Sequence, residues 1–345
     1  MSQFLTERAK FAHTPPLLGA LEYRRRGAPV TVALLHGYVP HESDAWHFTI
    51  DELGRYFERV LSGRAGAVAA PPNTAGSLVE LAGTPIPPLA QELVGSYLQA
   101  AGRMGQRTAE LHLGLVSRAA DPAFAPEPFT ELYQRSLVQS MRTLVRQSLQ
   151  RLRRCWRTLP EDARGDAQKL LQLEAEIIKK ARVSLQRRFT GMRTRHHGNL
   201  HLGQVLYTGK DFVILMSEGD AVRSAADRRV KRSPLRDVAS MLRSFHYAAA
   251  HEFATGGSTA SVRREDLPAL EPWARYWRTW VSVAFLRGYL ATAAGARFVP
   301  KSTDELRAAL DAYMLEKALY ELGSELDSRP DWARIPILGI LELMS

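Results

Sequence analysis

The run His196-His197-Gly198-Asn199-Leu200-His201-Leu202-Gly203-Gln204 gathers three imidazoles and two carboxamides into one short stretch. A strand-like segment, Asp211-Phe212-Val213-Ile214-Leu215, follows, and then Met216-Ser217-Glu218-Gly219. Phosphoryl transfer uses this layout. An acid on a loop accepts the proton of the attacking hydroxyl, an amide shortly after it holds one Mg²⁺, and an acid after the next strand holds another. Gln204 supplies the amide. Asn199 stands where the base belongs and Met216 where the second metal acid belongs. The spacing is that of a reaction centre, but two of its charges are missing.

Each departure has a chemical consequence. A carboxamide such as Asn199 can accept a hydrogen bond but cannot take up a proton, and loss of a general base typically costs about 10² to 10⁴ in rate. The thioether of Met216 is soft, whereas Mg²⁺ takes oxygen ligands, so Met216 is expected to pack against apolar neighbours. Gln204 alone supplies too little charge for the ion. Glu218 shares the face of Met216 if the strand continues, and with Asp220 nearby it is the candidate for a displaced metal ligand. His201 is placed to bond either the loop backbone or a substrate hydroxyl, and His197 is expected to be structural. His196 and His197, being adjacent, point in different directions, and no Cys or acid cluster completes a metal site with them.

The elements that would hold this loop are mostly helices. Apolar periodicity predicts them over about 50–62, 89–118, 129–158, 161–189, 235–254, 266–295, 303–326 and 336–344. Two strands, Leu17 to Tyr23 and Val30 to Leu35, are expected to form a hairpin across Arg24-Arg25-Arg26-Gly27-Ala28-Pro29. Two more short strands flank the turn near 208–210. The Ala-, Gly- and Pro-rich stretch from Gly63 to Pro88 is expected to be a mobile loop. Arg236 and Asp237, after Ser233-Pro234, begin a helix where an aspartate also favours the dipole. The fold class expected is α+β, mostly helical, with short antiparallel strands.

Composition sets the outer bounds. The 345 residues are 45% hydrophobic and 24% charged, the balance of a soluble globular chain. No apolar run is long enough to span a bilayer, and the first residues lack the features of a secretory signal. The single cysteine, Cys155, suits a reducing compartment, so the cytoplasm is the expected location. The net charge is +10, and residues 135–195 hold 16 Lys/Arg against 5 Asp/Glu. Those cations interleave with leucines at helical spacing and read as solvated helix faces. No aromatic stacking pattern or DNA-binding motif accompanies them, which argues against a nucleic-acid partner.

Several ordered blocks resemble the bacterial maltokinase family, a domain also found fused to trehalose synthase. They are Arg195 to Gln204, Val205-Leu206-Tyr207-Thr208-Gly209, Lys231-Arg232-Ser233-Pro234-Leu235-Arg236-Asp237-Val238-Ala239 and Met241-Leu242-Arg243-Ser244-Phe245. Thr14 to Tyr23 at the front, and Glu316 to Glu321 with Arg329-Pro330-Asp331-Trp332 at the back, extend the resemblance along nearly the whole chain. It implies a kinase-like fold, with residues 1–40 a remnant of the small lobe and hinge, and 41–345 the helical large lobe. His36-Gly37-Tyr38 would be the hinge that meets a nucleotide, with Gly37 loosening it. A full small lobe has a Gly-rich phosphate loop and a strand lysine, and neither precedes residue 40 in this sequence.

The family reaction is ATP- and Mg²⁺-dependent phosphorylation of maltose to maltose 1-phosphate. The resemblance implies that Lys317, Tyr320 and Glu321, which share one helix face, contact the sugar. Ser324 stands where the family pattern continues with a tyrosine. With Asn199, Met216 and the absent phosphate loop, the expectation is an impaired, pseudokinase-like copy that binds maltose or a related glucan. Trehalose synthase or an intact maltokinase would be its protein partner. The alternative is an active maltokinase that holds metal through Gln204 and Glu218, or a subunit working with trehalose synthase.

Overall fold

A computed structural model describes residues 1–24, 30–64, 70–118, 120–186, 189–216, 230–256 and 262–345. The chain is α+β and mostly helical, as its periodicity predicts. The helices are α1 (Ala45–Arg59), α2 (Leu78–Ala82), α3 (Pro88–Val94), α4 (Tyr97–Val116), α5 (Glu131–Arg154) and α6 (Glu161–Gln172). They continue with α7 (Glu174–Gln186), α8 (Leu235–Ala254), α9 (Leu267–Thr292), α10 (Thr303–Ser328) and α11 (Arg334–Met344). Several begin at side-chain caps that the sequence supplies. Asp44, Thr130 and Ser302 accept from the third residue beyond them, and Ser77 with Glu80 forms a reciprocal capping box.

Two expected helices are broken. The one predicted over 89–118 splits at Gly95, whose φ of 66° lies in the left-handed region open to glycine. The one predicted over 161–189 divides at Leu173 into α6 and α7. Of the stretch from Gly63 to Pro88 expected to be a mobile loop, residues 65–69 lie outside the described residues, and the later part is anchored. It contains α2, whose last carbonyls accept from Arg287 on α9, while Glu80 pairs with Arg307 on α10 at 3.2 Å.

The strands are few. β1 (Leu17–Tyr23) and β2 (Val30–His36) form the expected antiparallel hairpin. Among the described residues they pair only with each other, and Leu18, Leu21, Tyr23, Val30, Val32 and Leu35 are all exposed. β3 (Ser43–Asp44), β6 (Val205–Tyr207) and β7 (Phe212–Ile214) form a second sheet in the order β3-β6-β7. A third, minimal pairing joins β4 (Glu127–Pro128) to β5 (Met192–Arg193). Gly37, in the segment expected to be a hinge, lies tightly against Pro16. Its N–H donates to the Pro16 carbonyl at 2.8 Å, and a Cβ there would come within 2.9 Å of the Pro16 ring. Glycine serves close approach here.

The core is built on α4 and α9, which pack with their backbones almost in contact. A Cβ on Gly288 would collide with the Gly102 carbonyl, and one on Gly105 with the Phe285 carbonyl. Around this crossing lie Tyr97 stacked on Trp277 at 5.5 Å, and Phe285 edge-on to Phe245 of α8. Gly288→Ala should therefore lower stability by about 1–3 kcal/mol or more through overpacking. Gly54→Ala on α1, where a Cβ meets nothing within 4 Å, should be neutral or stabilising by about 0.5–1 kcal/mol. Urea midpoints of the two variants against wild type check this contrast.

Candidate functional site

The loop from His196 to Gln204 is held by one buried carboxylate. Asp237, in the first turn of α8, accepts from the backbone N–H of His197 at 2.6 Å and of Gly198 at 2.8 Å. The buried imidazole of His112 on α4 donates to it at 3.0 Å, and the other ring nitrogen of His112 meets the Tyr289 hydroxyl at 3.0 Å. Burial alone would push the Asp237 carboxyl up, but the neighbouring imidazoles of His196 and His112 hold it well below the usual carboxylate range. Two backbone donors also favour the charged form. Gly198, with φ 85°, lets the chain turn so that consecutive N–H groups reach the same side chain.

A second tie runs from the loop to β7. His197 Nε2 donates to the Leu215 carbonyl at 2.6 Å, while its Nδ1 accepts from the Asn199 N–H at 3.2 Å. These two bonds fix the neutral tautomer, and burial keeps this imidazole below its ordinary range. The Leu215 N–H returns to the Gln204 carbonyl at 2.9 Å. Arg107 of α4 clamps the start of the strand, gripping Asp211 through two bonds of 2.9 and 2.7 Å. The loop and the residue after β7 are thus set side by side, as transfer chemistry requires.

The side chains at those positions are the wrong ones for metal. Met216 turns into the core and is 8% exposed, a thioether where the sequence reading expects a metal-binding acid. Asn199 and Gln204 are half-buried neutral amides. Two amides and a thioether do not fit Mg²⁺, which needs several anionic or water oxygens in octahedral array. Glu218, the expected rescue ligand, lies outside the described residues with Ser217 and Asp220. Among the described residues no group of three or more His, Cys, Asp or Glu side chains could hold a metal ion.

Two chambers meet at Asn199. The smaller, about 280 Å³, lies towards α5 and is lined by His196, Arg236, Tyr313 and Glu316 among others. The larger, about 480 Å³, lies towards α1 and the end of α10, with Trp46, His201, Tyr247, His251, Glu325 and Trp332 in its walls. Asn199, Ser240, Lys317 and Tyr320 line both. The larger chamber has an aromatic side. Tyr247 and Trp332 are nearly parallel at 6.3 Å, and His251 sits edge-on to Trp332 and Trp46 at 5.9 Å each. Trp46 is brought there because Asp44, which caps α1, pairs with Leu206 of β6.

Of the residues singled out in the sequence, Asn199, His201, Lys317, Tyr320 and Glu321 all line these chambers. Glu321 is not free to meet a ligand with both oxygens, because buried Arg243 bonds it at 2.8 Å. Gln204 lines neither chamber, and the hinge residues His36, Gly37 and Tyr38 lie apart from them. His36 meets the Pro15 carbonyl at 3.2 Å, and Tyr38 is 82% exposed. The sequence reading missed Trp46, Ser240, Ser244, Tyr247 and His251. Four of these form a polar and aromatic stripe along α8 at spacings of three or four, a signal available to inspection. Trp46 is brought in through β3, and no local pattern announces that.

No family model matches the sequence. Among solved structures, glucosamine kinase in complex with glucosamine, ADP and inorganic phosphate superposes with a TM-score of 0.70 at 19% identity. That match covers 99% of this chain and 67% of the other. Glucosamine kinase in crystal form B gives 0.68 at 19% identity, and crystal form A 0.67 at 18%. This chain spans about two thirds of the length of these structures. The likeness establishes the kinase-like fold, and maltokinase rests on sequence resemblance. No helix among the described residues is long and apolar enough to cross a membrane.

Burial holds the His196 and His201 imidazoles down to about 4, with Lys317 adding to the effect at His201. In the unfolded chain they would protonate near 6.5. Between those values only the unfolded state gains protons, so stability should fall as pH drops from about 6.5 to 4. Each group contributes at most about 1.4 kcal/mol per pH unit. Urea midpoints from pH 8 to 5 test this, and His201→Gln should flatten the slope. Asp237→Ala should cost at least about 3 kcal/mol at pH 7, because three buried donors lose their acceptor.

Proposed function

We propose that this chain is a kinase-fold sugar-binding module that has given up phosphoryl transfer. One observation carries the reading. Asn199 and Met216, which the sequence reading puts at the base and metal-acid positions, are a neutral amide and a buried thioether, yet the loop opens onto two formed chambers. Transfer from a nucleotide depends on cations and a base, and the described residues offer neither site. Binding of a hydroxylated ring needs only shape, an aromatic wall and hydrogen-bonding groups, all of which the larger chamber has.

Both lines of likeness support a hexose-class ligand. The sequence blocks resemble maltokinase, and one structural neighbour was solved with glucosamine. Within this reading Trp332 and Tyr247 offer a surface for the ring. Lys317 and Tyr320 bond hydroxyls, and Asn199 accepts the hydroxyl that a base would have deprotonated. The neutral Asn199 can orient that group without activating it. A trehalose synthase or an intact maltokinase is the protein partner that the sequence resemblance suggests.

The purified chain should release no sugar phosphate from ATP, Mg²⁺ and maltose, glucose or glucosamine. At least one of these sugars should raise its melting temperature without nucleotide. Trp332→Ala should weaken that shift several-fold. Turnover of about 1–100 per second, an ordinary kinase rate, would overturn the proposal. The same outcome would favour metal binding through Gln204 and Glu218. Asn199→Asp combined with Met216→Asp is expected to stay inactive, since two carboxylates alone do not rebuild nucleotide binding.

A further inference from the structure

The two chambers carry an imbalance of partners that identifies the kind of ligand they suit. Four carboxylates line them, and each is engaged. Glu316 pairs with Arg236 at 2.8 Å, and Glu321 with Arg243 at 2.8 Å. Glu325 accepts from Arg329 and from the Tyr247 hydroxyl. Asp237 is taken up by His112 and the two loop N–H groups. Lys317 is the remaining cation at the junction. Among the described residues no carboxylate lies within ion-pair distance of it, and its ammonium sits 5.4 Å from the centre of the Tyr320 ring.

Unused donors lie around it. Ser240 is 6% exposed, lines both chambers, and its hydroxyl has no hydrogen-bond partner among the described residues. Arg236 Nε, in the smaller chamber, is likewise buried and has no partner among the described residues, despite the ion pair that the same guanidinium makes. A buried N–H or O–H left without an acceptor is a cost that a ligand oxygen would relieve. Asn199 adds an amide N–H₂ at the same junction. In an active transfer centre the acids at the positions of Asn199 and Met216 would repel an anion unless a metal intervened. Here both are neutral, so that repulsion is gone while the lysine stays.

We infer that the junction at Asn199, Ser240 and Lys317 binds the anionic group of an acidic sugar, a small polyhydroxylated molecule bearing phosphate or carboxylate, without a metal. The sugar ring lies in the larger chamber against Trp332 and Tyr247, and the anion meets Lys317 and Ser240. An oxyanion can accept from several donors at once, which a neutral hydroxyl cannot match. This rests on the sugar-binding reading above and goes beyond it by assigning the charge of the ligand.

Calorimetric titration of the full chain in EDTA tests it, with glucose, glucose 6-phosphate, gluconate and inorganic phosphate as titrants. At least one acidic sugar should bind tenfold or more tightly than glucose, and the two acids report which anion is preferred. Lys317→Met, which keeps the aliphatic stem, should collapse that ratio to near one, and Lys317→Arg should retain it. Arg142→Gln on the exposed face of α5 controls for net charge and should leave the ratio intact. Glucose binding as tightly as the acids overturns the inference, as does a ratio unaffected in Lys317→Met. Inorganic phosphate binding as tightly as the sugar phosphate also overturns it. If no sugar binds at all, acidic or neutral, the sugar-binding reading itself fails.

Discussion

The site depends on a carboxylate whose oxygens are taken up by the protein itself. Asp237 gathers two consecutive backbone N–H groups and the His112 imidazole from α4 at one buried point. A buried charge is costly unless it is fully hydrogen-bonded, and this one is. Its donors come from the loop and α4, while it sits at the head of α8, so three parts of the chain share one centre. The Gly198 turn is held by that acceptor. Everything downstream, including the reach of His197 to the Leu215 carbonyl, inherits its position from this contact.

This arrangement separates the contacts that hold the loop from the side chains that the loop presents. Asn199 and Met216 are neighbours of the framework, not parts of it. Asn199 contributes its backbone N–H to His197, and any residue would do so. Met216 follows a strand already fixed by Arg107 and by the Leu215 bonds, and its side chain only has to avoid water. Exchanging an acid for an amide at one place and for a thioether at the other therefore leaves the packing whole. In the second case it adds apolar burial to the core. The contacts that fix the loop therefore do not depend on which side chains stand at Asn199 and Met216.

Much of this was legible in the sequence, and the reason differs by element. The α8 span was read correctly because its apolar periodicity is unbroken from Leu235 to Ala254. The hairpin and the β6–β7 pair were visible from β-branched runs around turn residues. Breaks at Gly95 and Leu173 were not, since one needs a left-handed φ and the other a local change of direction that periodicity averages away. The role of Asp237 was half visible. Its helix-start position was clear, but a favourable dipole contact and a buried hub look alike in sequence. Trp46 entered the site through tertiary contacts alone, whereas Ser240 lies on the α8 stripe that inspection could have found.

The two faces of α8 show what fixes the chamber wall from within the protein. One face presents Ser240, Ser244, Tyr247 and His251 to the ligand side. On another, Arg243 is 1% exposed and joins Glu321 of α10 to His246, in a space that exists because Gly339 of α11 has no side chain. That guanidinium occupies the carboxylate of Glu321, a residue of the chamber wall. Burial, and then the Arg278 and Arg243 charges, keep the His246 imidazole neutral, so it can accept the Arg243 N–H. A wall residue held by a buried arginine has little freedom to swing. Preorganisation of this kind lowers the entropic cost of binding, and it persists whether or not the neighbouring loop can still do chemistry.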